Sequence, residues 1–386
     1  MAFFAPVWGP LAGVRDGAIG RIAELSLRGF RNLADADLAI PERGFVIVGP
    51  NGHGKTSLIE AALYCEVFRS FRGAADRELV GFGRDGFWVA AEMRGTATQG
   101  HRGTEKPANS VAAGYDARTK EKRITLDGAV VARAQDAIGV LRGVVLSPGD
   151  VSLVAGGPRE RRRYLDVLLS LTVPGYVEAL ARYRRALAHR IRASAADMPT
   201  WERLLAERGT AVVEARRRWS QAWQERYTEV CGRMGEMGAS ALVYQPSVDG
   251  DADTLARAFE RHRANDVARG RTSVGPHRDQ LRLVRAGRDL RTYGSAGQHR
   301  TAAIALRLCE AETLAQGGGP VVIGLDDAFA ELDEERSRRL GELVERQAAA
   351  GSQVIAAVPQ AGELPGGAAT ALGALQRRDI REGIIT

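Results

Sequence analysis

The sequence predicts an α/β fold whose sheet is assembled from two distant stretches of chain, with a mainly α-helical lobe inserted between them. Three observations predict it. The apolar run Phe45-Val46-Ile47-Val48 leads into Gly49-Pro50-Asn51-Gly52-His53-Gly54-Lys55-Thr56 and then into the helix-compatible Ser57-Leu58-Ile59-Glu60-Ala61-Ala62-Leu63. Far downstream, Pro320-Val321-Val322-Ile323-Gly324-Leu325-Asp326-Asp327 reads as a second short buried strand, ending in two acids. Between the two, Tyr164 to Arg271 is dominated by segments of helical period.

Length and composition frame the reading. A chain of 386 residues, 45% of them hydrophobic, can bury the core of two domains or of one large domain with an insertion. No apolar run approaches the roughly 20 residues a membrane span needs, so no membrane partner is expected. Met1 to Trp8 lacks the basic region that opens a signal peptide, and residues 1–20 are expected to form a disordered or loosely docked extension. Cys65, Cys231 and Cys309 are scattered, without metal spacing and too few for a disulfide framework, which fits a reducing cytoplasm. The net charge of +7 is compatible with a polyanionic partner but modest for this length. Lysine occurs only at Lys55, Lys106, Lys120 and Lys122. In a chain that otherwise uses arginine, Lys55 stands out as a position that needs a flexible point charge.

The octapeptide Gly49 to Thr56 has the spacing G-x-x-x-x-G-K-[ST] of a P-loop, in which each residue type has its own task. Glycines let the backbone curl so that several N–H groups point at one phosphate. Lys55 reaches the β/γ-phosphates, Thr56 ligates Mg²⁺, and the following helix aims its positive dipole end at the same anion. A Gly-rich turn can match this spacing by accident, but the flanking strand and helix argue against it. A nucleoside triphosphate is the implied ligand, held by Gly49, Pro50, Asn51, Gly52, His53, Gly54, Lys55 and Thr56.

From Thr96 to Lys122 the chain is polar and mixed in charge, and reads as a surface excursion in which Lys106, Lys120 and Lys122 are candidates for phosphate contact. The helical segments run over Tyr164 to Leu171, Tyr176 to Ala193, Trp201 to Met237 and Leu255 to Ala268, broken at Pro174, Pro199 and Pro246. They are too short and interrupted for a long coiled-coil arm. Arginines cluster at Arg159 to Arg163, at Arg182, Arg184 and Arg185, at Arg190 and Arg192, and at Arg216 to Arg218. On helices they would form basic stripes that touch phosphates without reading bases, or solvated faces paired with acids such as Glu178 and Glu214. No zinc finger, helix-turn-helix or aromatic single-strand platform is apparent.

Tyr293-Gly294-Ser295-Ala296-Gly297-Gln298-His299-Arg300 forms the N-terminal turn of an amphipathic helix, readable as an ordinary Ser N-cap or as a second anion site. In the strand that follows, Asp326 has the place of a Walker B acid able to hold the Mg²⁺ shell, and Asp327 that of a group orienting the attacking water. By resemblance to the ATP-binding-cassette ATPases, whose P-loop, S-x-G-Q turn and Walker B strand these segments match, the run Ser352 to Pro359 is the expected switch strand; it carries no His or Thr at its end, a departure that implies slow hydrolysis. After Ala361 the chain is Gly/Ala-rich and closes on Arg377-Arg378-Asp379-Ile380-Arg381, which reads as a weakly packed tail.

P-loop, S-x-G-Q turn, Walker B strand with a second acid, then Ala330-Glu331-Leu332-Asp333: this order resembles the ATP-binding-cassette ATPases, with Ala330 where a Ser is usual in the D-loop. The resemblance implies ATP with Mg²⁺, and a homodimer in which Ser295, Gly297 and Gln298 act in trans on the nucleotide of the other subunit. Further segments resemble one branch, the RecF recombination-mediator proteins, which are related to SMC heads. They are Phe30-Arg31-Asn32; Arg69-Ser70-Phe71-Arg72 with Asp76, Glu78, Leu79 and Val80; Ser147-Pro148-Gly149-Asp150; Pro158 to Asp166; and Gly275-Pro276-His277-Arg278-Asp279. Gly149 and Gln280 depart from it, since acids are common at both places. The resemblance implies sequence-independent binding of double-stranded and gapped DNA, strengthened when ATP closes a dimer, and recombinase loading with partners similar to RecO and RecR. A DNA-clamp scaffold with a decayed ATPase, or a cassette ATPase outside repair, are the other readings. Residues 1–20 are then an extension, 21–155 the first half of an ATPase head, 156–271 the helical lobe, and 272–386 the second half of the head.

Overall fold

The computed structural model describes residues 20–95, 110–359 and 372–386. The expected extension, apart from Gly20, and Lys106 lie outside the described residues. The elements in order are β1 (Gly20–Arg28), β2 (Ala36–Ala39), β3 (Gly44–Val48), α1 (Lys55–Val67), β4 (Gly86–Gly95), β5 (Ser110–Asp116), β6 (Glu121–Leu126), β7 (Ala129–Val130) and β8 (Gly143–Leu146). Then come α2 (Ser152–Ala155), α3 (Pro158–Thr172), α4 (Tyr176–Arg192), α5 (Met198–Arg233), β9 (Ser240–Gln245), α6 (Ala252–Arg269), β10 (Gln280–Arg285), β11 (Arg288–Asp289), α7 (Leu290–Tyr293) and α8 (Ala296–Gln316). The chain closes with β12 (Val322–Asp326), α9 (Glu334–Ala349), β13 (Gln353–Val358), β14 (Gln376–Arg381) and β15 (Ile384–Ile385). Among the described residues, 20–149 with 310–386 form one compact unit and 150–309 another.

The first unit holds two six-stranded sheets. One is antiparallel, in the order β2-β1-β4-β5-β6-β7. In β1 a register shift between Ile22 and Glu24 changes the parity of the strand, so that Ile22 above it and Leu25 and Leu27 below it all face inward. The other sheet runs β15-β14-β3-β13-β12-β8, parallel except for the β14–β15 hairpin. Strands β3, β12 and β13 are buried at every residue, which is why they read as continuous apolar runs. Helix α1 shares one core with both sheets, through Leu58, Ile59, Ala61, Ala62, Leu63 and Tyr64. A helix covered on both sides has no polar face, and α1 shows none over Ser57 to Cys65.

The second unit is mainly helical and also carries the small sheet β11-β10-β9. Pro199 does not break its helix but stands in the first turn of α5, where the missing N–H is no loss. At 36 residues α5 is about 54 Å long. Gly275, Pro276 and Asp279 of the Gly275 to Asp279 motif are buried in this unit, while Arg278 is exposed. His277 lies between the Tyr183 hydroxyl at 2.6 Å and the Thr272 carbonyl at 2.9 Å, and burial pushes its pKa down to about 4, which keeps the ring neutral. Asp279 accepts from the Ser247 N–H at 2.7 Å and from the Tyr244 hydroxyl.

Three expectations are corrected here. The segment after Ala361 is no loose tail where it is described: β14 pairs in parallel with β3, and Ile380 is fully buried. The stretch 96–122 is not only a loop, because Ser110 to Asp116 form β5 between β4 and β6. Its Lys122 is engaged internally, bonded to the Phe68 carbonyl that ends α1 and to Asp76 at 3.1 Å. Finally, several clustered arginines face inward. Arg190 donates to Asp266 and Glu202, Arg216 to Asp166 and the Pro276 carbonyl, and Arg161 to the carbonyls of Leu153, Val154 and Gly156. Arg159, Arg163, Arg182, Arg192 and Arg218 remain exposed.

Candidate nucleotide-binding site

Strand β3 ends at Val48 and α1 begins at Lys55, so Gly49 to Gly54 form the connecting loop. Gly52 and Gly54 have φ of 82° and 108°, values that side chains resist and that turn the loop back over the helix start. Lys55 is 5% exposed, and its Nζ donates to the carbonyls of Gly49 at 2.6 Å and Pro50 at 3.0 Å, and to Asn51 Oδ1 at 3.3 Å. The ammonium is thereby held over the hollow of the loop.

Strand β12 lies one strand beyond β13 from β3, and its last residue, Asp326, accepts a hydrogen bond from Thr56 Oγ1 at 2.7 Å. Residues 270 positions apart thus meet as one donor set. Burial raises the pKa of Asp326, against the Thr56 hydroxyl, which lowers it, and with neighbouring Asp327, which raises it further. Asp327 follows in the left-handed region at φ 49°, and its Oδ1 is buried without a hydrogen-bond partner. A hydroxyl, a carboxylate and an unpartnered carboxylate oxygen beside a lysine suit a hard cation carried in by a polyphosphate. Among the described residues no cluster of three or more His, Cys, Asp or Glu could hold a metal unaided.

The segments Phe30-Arg31-Asn32 and Arg69 to Arg72, with Asp76, engage α1, and Asn32 also reaches the loop. Glu60 of α1 is fully buried and accepts from Arg31 through both oxygens, at 2.9 and 3.0 Å, and from the Ser70 hydroxyl. Asn32 bridges the Gly52 carbonyl at 2.9 Å and the Ser57 hydroxyl at 2.8 Å, while Phe30 packs edge-on against Tyr64 and Phe87. Asp76 accepts from the Tyr64 hydroxyl at 2.6 Å.

The S-x-G-Q turn belongs to the other compact unit. Ser295 is exposed and forms a reciprocal capping box at the start of α8: its hydroxyl accepts from the Gln298 N–H at 3.3 Å, and Gln298 Oε1 accepts from the Ser295 N–H at 3.0 Å. Gly297 lies between them, half-buried. Asp333, in the D-loop-like segment, caps α9 through the Arg336 N–H at 2.8 Å.

A curled loop with its lysine held over it, a helix behind it, and an acid from a distant parallel strand on the loop threonine define the head of a P-loop nucleotide-binding protein, split by an insertion. The sequence matches the RecF/RecN/SMC N terminal domain family over residues 21–370. It is 37% identical to the DNA replication and repair protein RecF of Chloroflexus aggregans over 84% of this chain and 90% of that one. To that of Herpetosiphon aurantiacus it is 34% identical, over 83% and 89%. The chain belongs to the RecF family of DNA replication and repair proteins. Its fold is similar to that of the recombination mediator protein RecF solved with ATP, with TM-score 0.82 and 24% identity over 96% of this chain and 99% of that one. More distantly it resembles the Smc head domain of Pyrococcus furiosus bound to the C-terminal domain of ScpA, at TM-score 0.56 and 16% identity over 95% of each chain. No helix among the described residues is long and apolar enough to cross a membrane.

Proposed function

We propose that this chain is an ATP-dependent DNA-binding protein of recombinational repair and replication-fork maintenance, which dimerises with ATP on double-stranded or gapped DNA and helps load recombinase with RecO- and RecR-like partners. The observation that carries the reading is the Thr56–Asp326 bond at 2.7 Å beneath a loop whose lysine is already turned inward. Gly49 to Thr56 hold the phosphates, with Lys55 on the β/γ-phosphates. Thr56 and Asp326 hold Mg²⁺, which when bound neutralises phosphate charge. Asp327, with its unpartnered oxygen, orients water. Hydrolysis is slow, because the run Ser352 to Pro359 carries no His or Thr at its end. Residues 21–155 and 272–386 make up the functional head and 156–271 its lobe, a division that crosses the compact unit 150–309 because Ser295 serves the nucleotide.

Ser295, Gly297 and Gln298 serve it in trans. The RecF–ATP likeness supports the nucleotide, and the exposure of Ser295 leaves its turn open to a second copy. Ser295→Arg is therefore expected to leave ATP affinity unchanged and to weaken the ATP-driven dimer by about tenfold to a hundredfold, the worth of a hydrogen bond to a charged group. Sedimentation with and without ATP reads the effect. Normal ATP-driven dimers in the variant would remove the trans assignment.

A further inference from the structure

The hairpin β14–β15 touches the P-loop at His53. The N–H of Glu382 donates to His53 Nδ1 at 3.0 Å, and the N–H of Gly383 donates to the His53 carbonyl at 3.1 Å. The Gly383 carbonyl in turn accepts from the Ala34 N–H at 3.0 Å, and two residues before Ala34 stands Asn32, whose side chain donates to the Gly52 carbonyl. Beneath the loop, Ile380 approaches so closely that a Cβ at Gly49 would lie 2.3 Å from its carbonyl oxygen. A Cβ at Gly383 would lie 2.0 Å from the Asn32 oxygen. The hairpin is closed by reciprocal bonds between Asp379 and Thr386, at 2.9 and 3.0 Å.

We infer that the 376–386 hairpin, acting through His53, is a positioning device for the nucleotide loop, and that His53 serves as an acceptor on the protein side of the loop. The inference rests on the nucleotide-binding reading above. A loop with two positive-φ glycines has many open conformations, and only the curled one directs its N–H groups inward. Holding it curled before the ligand arrives removes the ordering cost from binding. Two hydrogen bonds from hairpin N–H groups to one loop residue, one to its ring and one to its carbonyl, select that conformer. His53 must present an unprotonated Nδ1 to do so, because its partner is a backbone N–H.

Titration with a fluorescent ATP analogue tests this on the full chain, on a chain that stops at Arg381, on His53→Phe and His53→Asn, and on the shortened chain carrying His53→Phe. The shortened chain and His53→Phe are each expected to bind about tenfold more weakly, the effect of losing one or two net hydrogen bonds. His53→Asn, whose side-chain carbonyl reaches the place of Nδ1, restores affinity to within about threefold. The combined variant binds no more weakly than the shortened chain, because both changes remove the same contact. Undiminished affinity in the shortened chain, additive losses, or His53→Asn as weak as His53→Phe would each overturn the inference. Should the shortened chain melt below the titration temperature, the two His53 variants decide it. Absence of binding by the full chain would instead remove the nucleotide reading itself.

Discussion

Replacing Lys55 with Met lowers ATP affinity by about two to four orders of magnitude and abolishes the nucleotide-driven dimer. Methionine keeps the apolar stem and roughly its length, so the change is confined to the ammonium. Charge-assisted hydrogen bonds contribute about 1.5–3 kcal/mol each, and an ammonium between the β- and γ-phosphates makes at least two. The protein also loses the cation that now satisfies the Gly49 and Pro50 carbonyls, so the loop itself is less firmly curled. Calorimetric titration with ATP measures the loss. An affinity within about threefold of the parent would mean that the lysine is a structural peg and not a phosphate ligand.

Replacing Arg216 with Met destabilises the unit 150–309 by about 3–5 kcal/mol, the cost of removing one partner from a buried ion pair. Arg216 is 2% exposed and donates to Asp166 at 2.8 Å, to the Pro276 carbonyl at 2.8 Å and to the Tyr176 hydroxyl at 3.2 Å. Asp279 lies 3.8 Å from it. Without the guanidinium, Asp166 keeps Arg184 and Tyr176, but the Pro276 carbonyl keeps only the Asp279 N–H at 3.4 Å and two buried carboxylates lose their common cation. Denaturant unfolding is expected to show a transition at lower midpoint, with ATP affinity of the folded protein unchanged. A shift below about 1 kcal/mol would place the arginine among surface ion pairs in effect.

The contrast between these two residues marks what sequence could tell. Lys55 was legible because a phosphate-binding loop fixes residue types at fixed local spacing, and Asp326 because a strand buried on both faces is apolar to its end. Arg216 was not, since its neighbours Arg217 and Arg218 have the same composition and only the helix phase and the packing around α5 decide which one is buried. The β14 strand was missed for a related reason. At the outer side of the parallel sheet, Gln376-Arg377-Arg378-Asp379-Ile380-Arg381 buries only Ile380 fully, so no apolar run announces it. Strand β9 was hidden inside a region dominated by helical period. The motifs Phe30-Arg31-Asn32 and Ser70 to Arg72 were recognisable by resemblance, but their common purpose became visible only where Arg31 and Ser70 converge on the buried Glu60.

Several of the clustered arginines considered for phosphate contact face the interior, while Arg159, Arg163, Arg182 and Arg192 are exposed. These are suited to phosphate contacts that do not read bases, and such binding weakens steeply with salt. The most direct test of an ATP-switched DNA-binding protein is a salt titration of its affinity for gapped, duplex and single-stranded DNA, with and without ATP. The account predicts tighter binding to duplex and gapped DNA when ATP is present, with a steeper salt slope because a dimer engages more phosphates. Equal affinity for all three DNAs, with and without nucleotide, would contradict it.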